Sequence, residues 1–79
     1  MIGQVIYKDG TSEPIIRYSQ RPGSCEVITP FGKYAYQECI REHEETGYKY
    51  RSYAFFTYLG YPNEWKYNNN IKEFHIMEG

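Results

Sequence analysis

Aromatic rings supply most of the side chains from which this chain can build a hydrophobic core. Its 79 residues include ten tyrosines, four phenylalanines and one tryptophan, against one leucine, two valines and eight isoleucines. A domain of this size buries only about 60% of the surface that its unfolded chain exposes. A tyrosine ring packs like an apolar side chain, but its hydroxyl needs water or a hydrogen-bond partner. We therefore expect several tyrosines to lie at the surface, where rings offer a large contact area for recognition.

The chain lacks the sequence motifs of common catalytic sites, which favours a binding protein over an enzyme. It has no glycine-rich phosphate loop, and no serine or cysteine lies in a recognisable nucleophile motif. Met1 is not followed by a signal peptide, and no apolar run approaches membrane-spanning length. We expect a cytoplasmic protein with no membrane association, in which Cys25 and Cys39 stay as free thiols.

Four segments are rich in β-branched and aromatic residues and predict strands. Met1 to Tyr7 and Pro14 to Ser19 flank a turn at Asp9-Gly10, which is typical of a hairpin. A third short strand is predicted from Cys25 to Thr29, and a last one from Ile71 to Met77.

Two short helices are predicted between these strands. From Tyr36 to Glu45 the weakly polar positions follow a helical spacing, and Gly47 provides a C-terminal cap. From Ser52 to Leu59 an apolar stripe follows the same spacing, and a strand is the alternative for this second segment. The predicted fold class is α+β, in one small domain spanning 1–79. It comprises a β-hairpin and third strand (1–29), two helices in a helix-turn-helix-like arrangement (30–67) and a C-terminal strand (68–79).

Charge is unevenly distributed along the middle of the chain, although the net charge is only −1. Residues 37–46 contain four glutamates and one arginine, whereas residues 48–67 contain three basic residues and one glutamate. The second segment also holds most of the candidate surface tyrosines, so it combines positive charge with rings.

Residues 28–67 resemble the nuclease-associated modular DNA-binding domain, a helix-turn-helix module of phage homing endonucleases and related small phage proteins. The resemblance rests on the motif Thr29-Pro30-Phe31-Gly32-Lys33-Tyr34, on Gly47 between the two predicted helices, and on the motif Trp65-Lys66-Tyr67. It implies a second helix that enters the DNA major groove, with lysine and arginine contacts to phosphate. The predicted contact set for nucleic acid, or for another partner, is Lys33, Lys49, Tyr50, Arg51, Tyr53 and Tyr58.

The same residues are also compatible with partners and ligands other than nucleic acid. A protein-interaction module that docks through exposed tyrosines suits the mild net charge equally well, and a homo-oligomer that buries its tyrosines is a third possibility. Cys39 and His43 have a spacing that can hold zinc, with Cys25 and His75 as further ligands, but no C-x2-C or H-x3-H pair supports this. We therefore expect no metal and no cofactor, with Cys39 and His43 serving in packing.

Overall fold

The computed structural model describes residues 2–77, and the strands of this part of the chain number eight. In chain order they are β1 (Gly3–Tyr7), β2 (Ser12–Ile15), β3 (Arg17–Arg21), β4 (Ser24–Thr29), β5 (Gly32–Glu42), β6 (Lys49–Gly60), β7 (Glu64–Tyr67) and β8 (Ile71–Ile76). No helix occurs between residues 2 and 77. The α+β fold class predicted from the sequence is therefore wrong, and the fold is all-β.

The strands form two antiparallel sheets. The smaller sheet has the order β2-β1-β8, and the larger one is a meander with the order β3-β4-β5-β6-β7. The chain passes from the smaller to the larger sheet at Ile16, whose N–H donates to the carbonyl oxygen of Ile28 at 2.9 Å. The predicted strand from Pro14 to Ser19 is thus divided between two sheets. The strands β1, β4 and β8 lie where the sequence predicts strands.

The hydrophobic core lies between the two sheets. Side chains alternate between the two faces of a strand, so every second residue of each central strand points inward. A group of rings, Tyr36, Phe55 and Phe74, packs against one end of this core. The core therefore combines a small aliphatic centre with an aromatic border. The composition predicts a core built mainly from rings, and this prediction is wrong for the centre, where Tyr34 is the one buried ring among the described residues. Its buried members are Val5, Ile15, Cys25, Val27, Tyr34 and Ile71.

A carboxylate, Glu13, joins the two sheets through hydrogen bonds from three hydroxyl groups. The hydroxyls of Tyr7 and Tyr34 and the hydroxyl of Thr29 all donate to it, the last at 2.8 Å. Burial, together with the neighbouring carboxylate, raises the pKa values of both tyrosines above the ordinary value. Two of the tyrosines thus obtain hydrogen-bond partners inside the protein.

The segment predicted as a first helix forms most of β5. In a strand Tyr36 and Ile40 lie on one face and Cys39 and His43 on the other, so the predicted helical face does not exist. Nine residue pairs join β5 to β6, from Tyr34 opposite Thr57 to Glu42 opposite Lys49. This long-range pairing, with ring packing of Tyr36 at 6.0 Å from Phe55, outweighs the local helical spacing.

The segment predicted as a second helix is the middle of β6, so the alternative of a strand describes it correctly. Gly47, predicted as a helix cap, instead has a φ of 71° in the loop between β5 and β6. A helix C-terminal cap and this loop between two strands both need a positive φ at residue 47. The glycine therefore does not distinguish a helix from a strand in the preceding segment.

The hairpin of β5 and β6 extends beyond the core. All residues from 40 to 51 are exposed. The radius of gyration is 13.7 Å, compared with about 12 Å for a compact domain of this length. The end of the hairpin is therefore a projecting arm.

Candidate functional site

Strand alternation divides the six predicted contact residues between two faces of the larger sheet. Tyr53 lies on the same face as Phe55, which packs inward on Phe74 at 5.3 Å between ring centroids. Tyr58 lies on the opposite, outer face and packs on Trp65 of β7 at 5.0 Å. The outer face thus holds Lys33, Tyr50 and Tyr58, and the inner face holds Lys49, Arg51 and Tyr53. The predicted set therefore does not form one surface. The prediction relies on a helix to place these residues side by side, whereas a strand directs successive residues to opposite faces.

The outer face carries a row of aromatic rings on β6 and β7. Phe56 packs edge-on against Tyr67 at 5.2 Å between centroids, next to the pair formed by Tyr58 and Trp65. These rings are half-buried, except for Tyr67, which is 47% exposed. Phe56 and Tyr67 were not in the predicted contact set, and only the register of β6 and β7 places them beside Tyr58.

Lys33 lies next to this row of rings. Its Nζ atom is 5.0 Å from the centroid of Tyr58 and 5.7 Å from that of Trp65, within the range of a cation–π interaction. The same ammonium group is 3.7 Å from a carboxylate oxygen of Glu26. Lys33 is thereby held on the outer face, and it links β5 to the rings of β6 and β7.

Positive charge continues across the outer face of the neighbouring strands. The Nη2 atom of Arg41 donates to the hydroxyl of Tyr67 at 3.2 Å, and the nearby Cys39 and Tyr67 raise the pKa of the guanidinium. Arg17 and Arg21 lie on the same face as Glu26, as the register of β3 with β4 requires. Among the described residues of β3, β4 and β5, Glu26 is the one carboxylate that points outward.

The inner-face residues of the predicted set lie on the projecting arm (Lys49 and Arg51) or just beyond its base (Tyr53). Arg51 pairs with Glu38, with 3.3 Å between Nε and the carboxylate oxygen. Tyr53 packs edge-on against Tyr36 at 5.1 Å. Both residues line an open groove of about 860 Å³ that separates the arm from β8.

The four candidate zinc ligands do not form a common site. Cys25 is buried in the core, where desolvation raises its pKa, whereas Cys39 lies on the outer face. The ring of His43 packs on Tyr50 at 5.6 Å. Within residues 2–77 no three His, Cys, Asp or Glu side chains are grouped so that they could hold a metal ion.

Comparisons with protein-family models, with curated proteins and with solved structures found no match. The helix-turn-helix that the resemblance implied does not occur in residues 2–77, so insertion of a helix into the major groove is excluded for this region. A helix with the length and apolar character to cross a membrane is likewise missing from this range.

Proposed function

We propose that the outer face of the larger sheet binds single-stranded nucleic acid. The observation that carries the proposal is the row of half-exposed rings on β6 and β7 beside arginine and lysine side chains. Unpaired bases stack on aromatic rings at a gain of about 1–3 kcal/mol each, and basic side chains neutralise the phosphates. An antiparallel sheet with rings on one face is a common platform for this kind of recognition.

The geometry favours a single strand over a duplex. Bases in a duplex are stacked on each other, so that their faces are not available to protein rings. Five strands at a spacing of about 4.8 Å make the face about 19 Å wide, which suits a few nucleotides laid across the sheet. Tyr67 and Trp65 would stack on bases, and Arg41 would contact phosphate.

The test measures the fluorescence anisotropy of a labelled oligothymidylate as the protein is added. We expect binding at low salt that weakens as salt rises from about 50 to 200 mM. If Arg17, Arg21 and Arg41 each neutralise one phosphate, the slope of log K against log salt should be about −2. Trp65 is the only tryptophan, so quenching of its fluorescence should follow the same titration.

The ring substitution Tyr67→Ala separates stacking from general electrostatic attraction. It should weaken binding by about five- to hundredfold, because it removes one stacking platform. Tyr67→Phe keeps the ring and should retain most of the affinity. Tyr61→Ala is the matched control, because Tyr61 is 96% exposed in the loop between β6 and β7 and does not belong to the row of rings. No binding at low salt, or equal effects of the two alanine variants, would contradict the proposal.

A further inference from the structure

One edge of β6 is open along the projecting arm. β5 pairs with β6 from Lys49 to Thr57, whereas β7 pairs with it only from Phe56 onward. Within residues 2–77 no other strand pairs with β6 on the β7 side. The part of β6 between Lys49 and Phe55 is therefore an edge strand. The C-terminal part of β6, in contrast, has a paired strand on both sides.

The direction of the backbone groups along this edge follows from two hydrogen bonds. The carbonyl oxygen of Phe55 accepts from the N–H of Asn68 at 2.8 Å, so the backbone groups of Phe55 point away from β5. The carbonyl oxygen of Tyr48 accepts from the N–H of His43 at 2.9 Å, so the even-numbered residues bond towards β5. Since this direction alternates along an antiparallel strand, the N–H and C=O groups of Arg51 and Tyr53 point into the open groove.

The asparagines at 68–70 keep this edge open. The side-chain amide of Asn68 donates to Oγ1 of Thr57 at 2.8 Å, and its side-chain carbonyl accepts the N–H of Asn70 at 3.0 Å. These bonds end the pairing of β7 with β6 and turn the chain away towards β8. The turn leaves the groove between the open edge and β8.

The charge of the groove indicates what can occupy it. Basic side chains come from both of its sides, and Glu73 is the one acidic residue among those that line it. Rings from Tyr53, Phe55 and Phe74 lie between these charges and offer contacts to alternate side chains of an added strand. The basic lining residues are Lys8, Arg41, Arg51 and Lys72, of which Arg51 already pairs with Glu38.

We propose that the edge of β6 from Lys49 to Phe55 binds an extended, acidic peptide segment of a partner protein as an additional β-strand. Main-chain hydrogen bonds to Arg51 and Tyr53 would hold the segment, and the basic lining would select acidic side chains. Seven residues of edge span about 20 Å, enough for a peptide of similar length. A second copy of this chain is a poorer match, because its own edge would bring Lys49 and Arg51 into a groove that is already basic.

This inference does not rest on nucleic-acid binding by the outer face. The two surfaces meet at Arg41 and Tyr67, but the peptide site depends on backbone groups of β6 that the row of rings does not use. A negative result with oligothymidylate would therefore leave the peptide proposal standing, and a negative result with the acidic peptide would leave the nucleic-acid proposal standing.

The test follows amide hydrogen exchange of the whole protein by NMR. The probe is a blocked peptide of about seven residues in which glutamate alternates with valine. At a peptide concentration of about ten times Kd, exchange at Arg51 and Tyr53 should slow about tenfold, because exchange then proceeds from the free fraction. The amides of Ser52 and Ala54 are the internal control, since they already bond to β5 and should change much less.

A matched peptide in which lysine replaces glutamate should bind more weakly. Lys72→Glu should weaken binding of the acidic peptide by about two- to fivefold, whereas Lys66→Glu, which changes an exposed lysine outside the groove, should not. Tyr53→Pro removes one of the N–H groups and should abolish binding, and an edge strand tolerates this proline.

Three results would overturn the proposal. The first is an absence of protection at Arg51 and Tyr53 with the acidic peptide. The second is equal binding of the lysine peptide, which would remove the charge selection. The third is protection of the same amides that rises with protein concentration without peptide, which would assign the edge to a second copy of this chain.

Discussion

Removal of the Glu13 carboxylate should destabilise the fold strongly, although Glu13 is an acidic residue on a short strand. The carboxylate accepts hydrogen bonds from the hydroxyls of Tyr7, Tyr34 and Thr29, and so it connects β1 and β2 to β4 and β5. In Glu13→Ala these hydroxyls lose a charged acceptor. Thr29 and Tyr34 are 4% and 7% exposed, so water has little access to replace it.

The size of the effect follows from the two enclosed donors. A hydrogen bond to a charged group contributes about 1.5–3 kcal/mol, and Tyr7, which is less buried, can recover part of its loss by binding water. The Thr29 hydroxyl keeps the carbonyl oxygen of Gly32 at 3.3 Å as a second acceptor, so Thr29 and Tyr34 are counted at the low end. This gives a loss of at most about 3 kcal/mol in the free energy of unfolding. A domain of this length has a total stability of about 4–12 kcal/mol, so the variant should lose a large part of it.

Urea unfolding followed by circular dichroism measures this loss, with Glu13→Gln and Glu73→Ala as controls. Glutamine keeps the shape and one acceptor oxygen, so it should cost about 1 kcal/mol. Glu73 is exposed, and its alanine variant should lie within about 0.5 kcal/mol of the parent protein. If Glu13→Ala is as stable as Glu73→Ala, the carboxylate does not hold the sheets together.

Three further predictions concern the core and its border. Because the pKa values of Tyr7 and Tyr34 are raised in the folded state, their stabilising contribution is complete below pH 10 and is lost as pH rises above it. Urea unfolding at several pH values should show stability falling by about 1.4 kcal/mol per pH unit for each tyrosine, and a flat profile would contradict this. Gly3→Ala should destabilise more than Gly10→Ala in thermal unfolding. A Cβ atom at residue 3 would collide with the carbonyl oxygen of His75, whereas alanine at residue 10 lies in open space and meets only the strain of a positive φ. A thiol reagent should modify the partly exposed Cys39 readily and the buried Cys25 only on unfolding, which mass spectrometry of the labelled protein would show.

The sequence by itself determined the position of several strands and turns. Short runs of β-branched residues marked β1, β4 and β8, since strand preference and alternation are local properties. Asp9-Gly10 and Gly47 marked turns, because a positive φ is a requirement of the single residue. The aromatic composition predicted a core built mainly from rings, but rings such as Tyr36 and Phe55 only border a mainly aliphatic centre.

The choice between helix and strand for residues 36–59 was decided only by tertiary structure. Tyr36, Cys39, Ile40 and His43 satisfy a helical spacing, and the pattern contains no information about a partner strand. Pairing with β6 gives each residue of β5 from Tyr34 to Glu42 a cross-strand neighbour, a gain that depends on contacts distant in sequence.

The candidate sites depend on the same distant contacts. Lys33 meets Trp65 on the outer face because β5, β6 and β7 are adjacent, and the intervening sequence does not predict that adjacency. The basic, tyrosine-rich segment was visible in the sequence, but the strand alternation sends Tyr58 to the outer face and Tyr53 to the groove. Local sequence thus determined which side chains are available, and strand pairing decided which of them share a surface, because pairing fixes both the neighbours of a strand and the face of each residue.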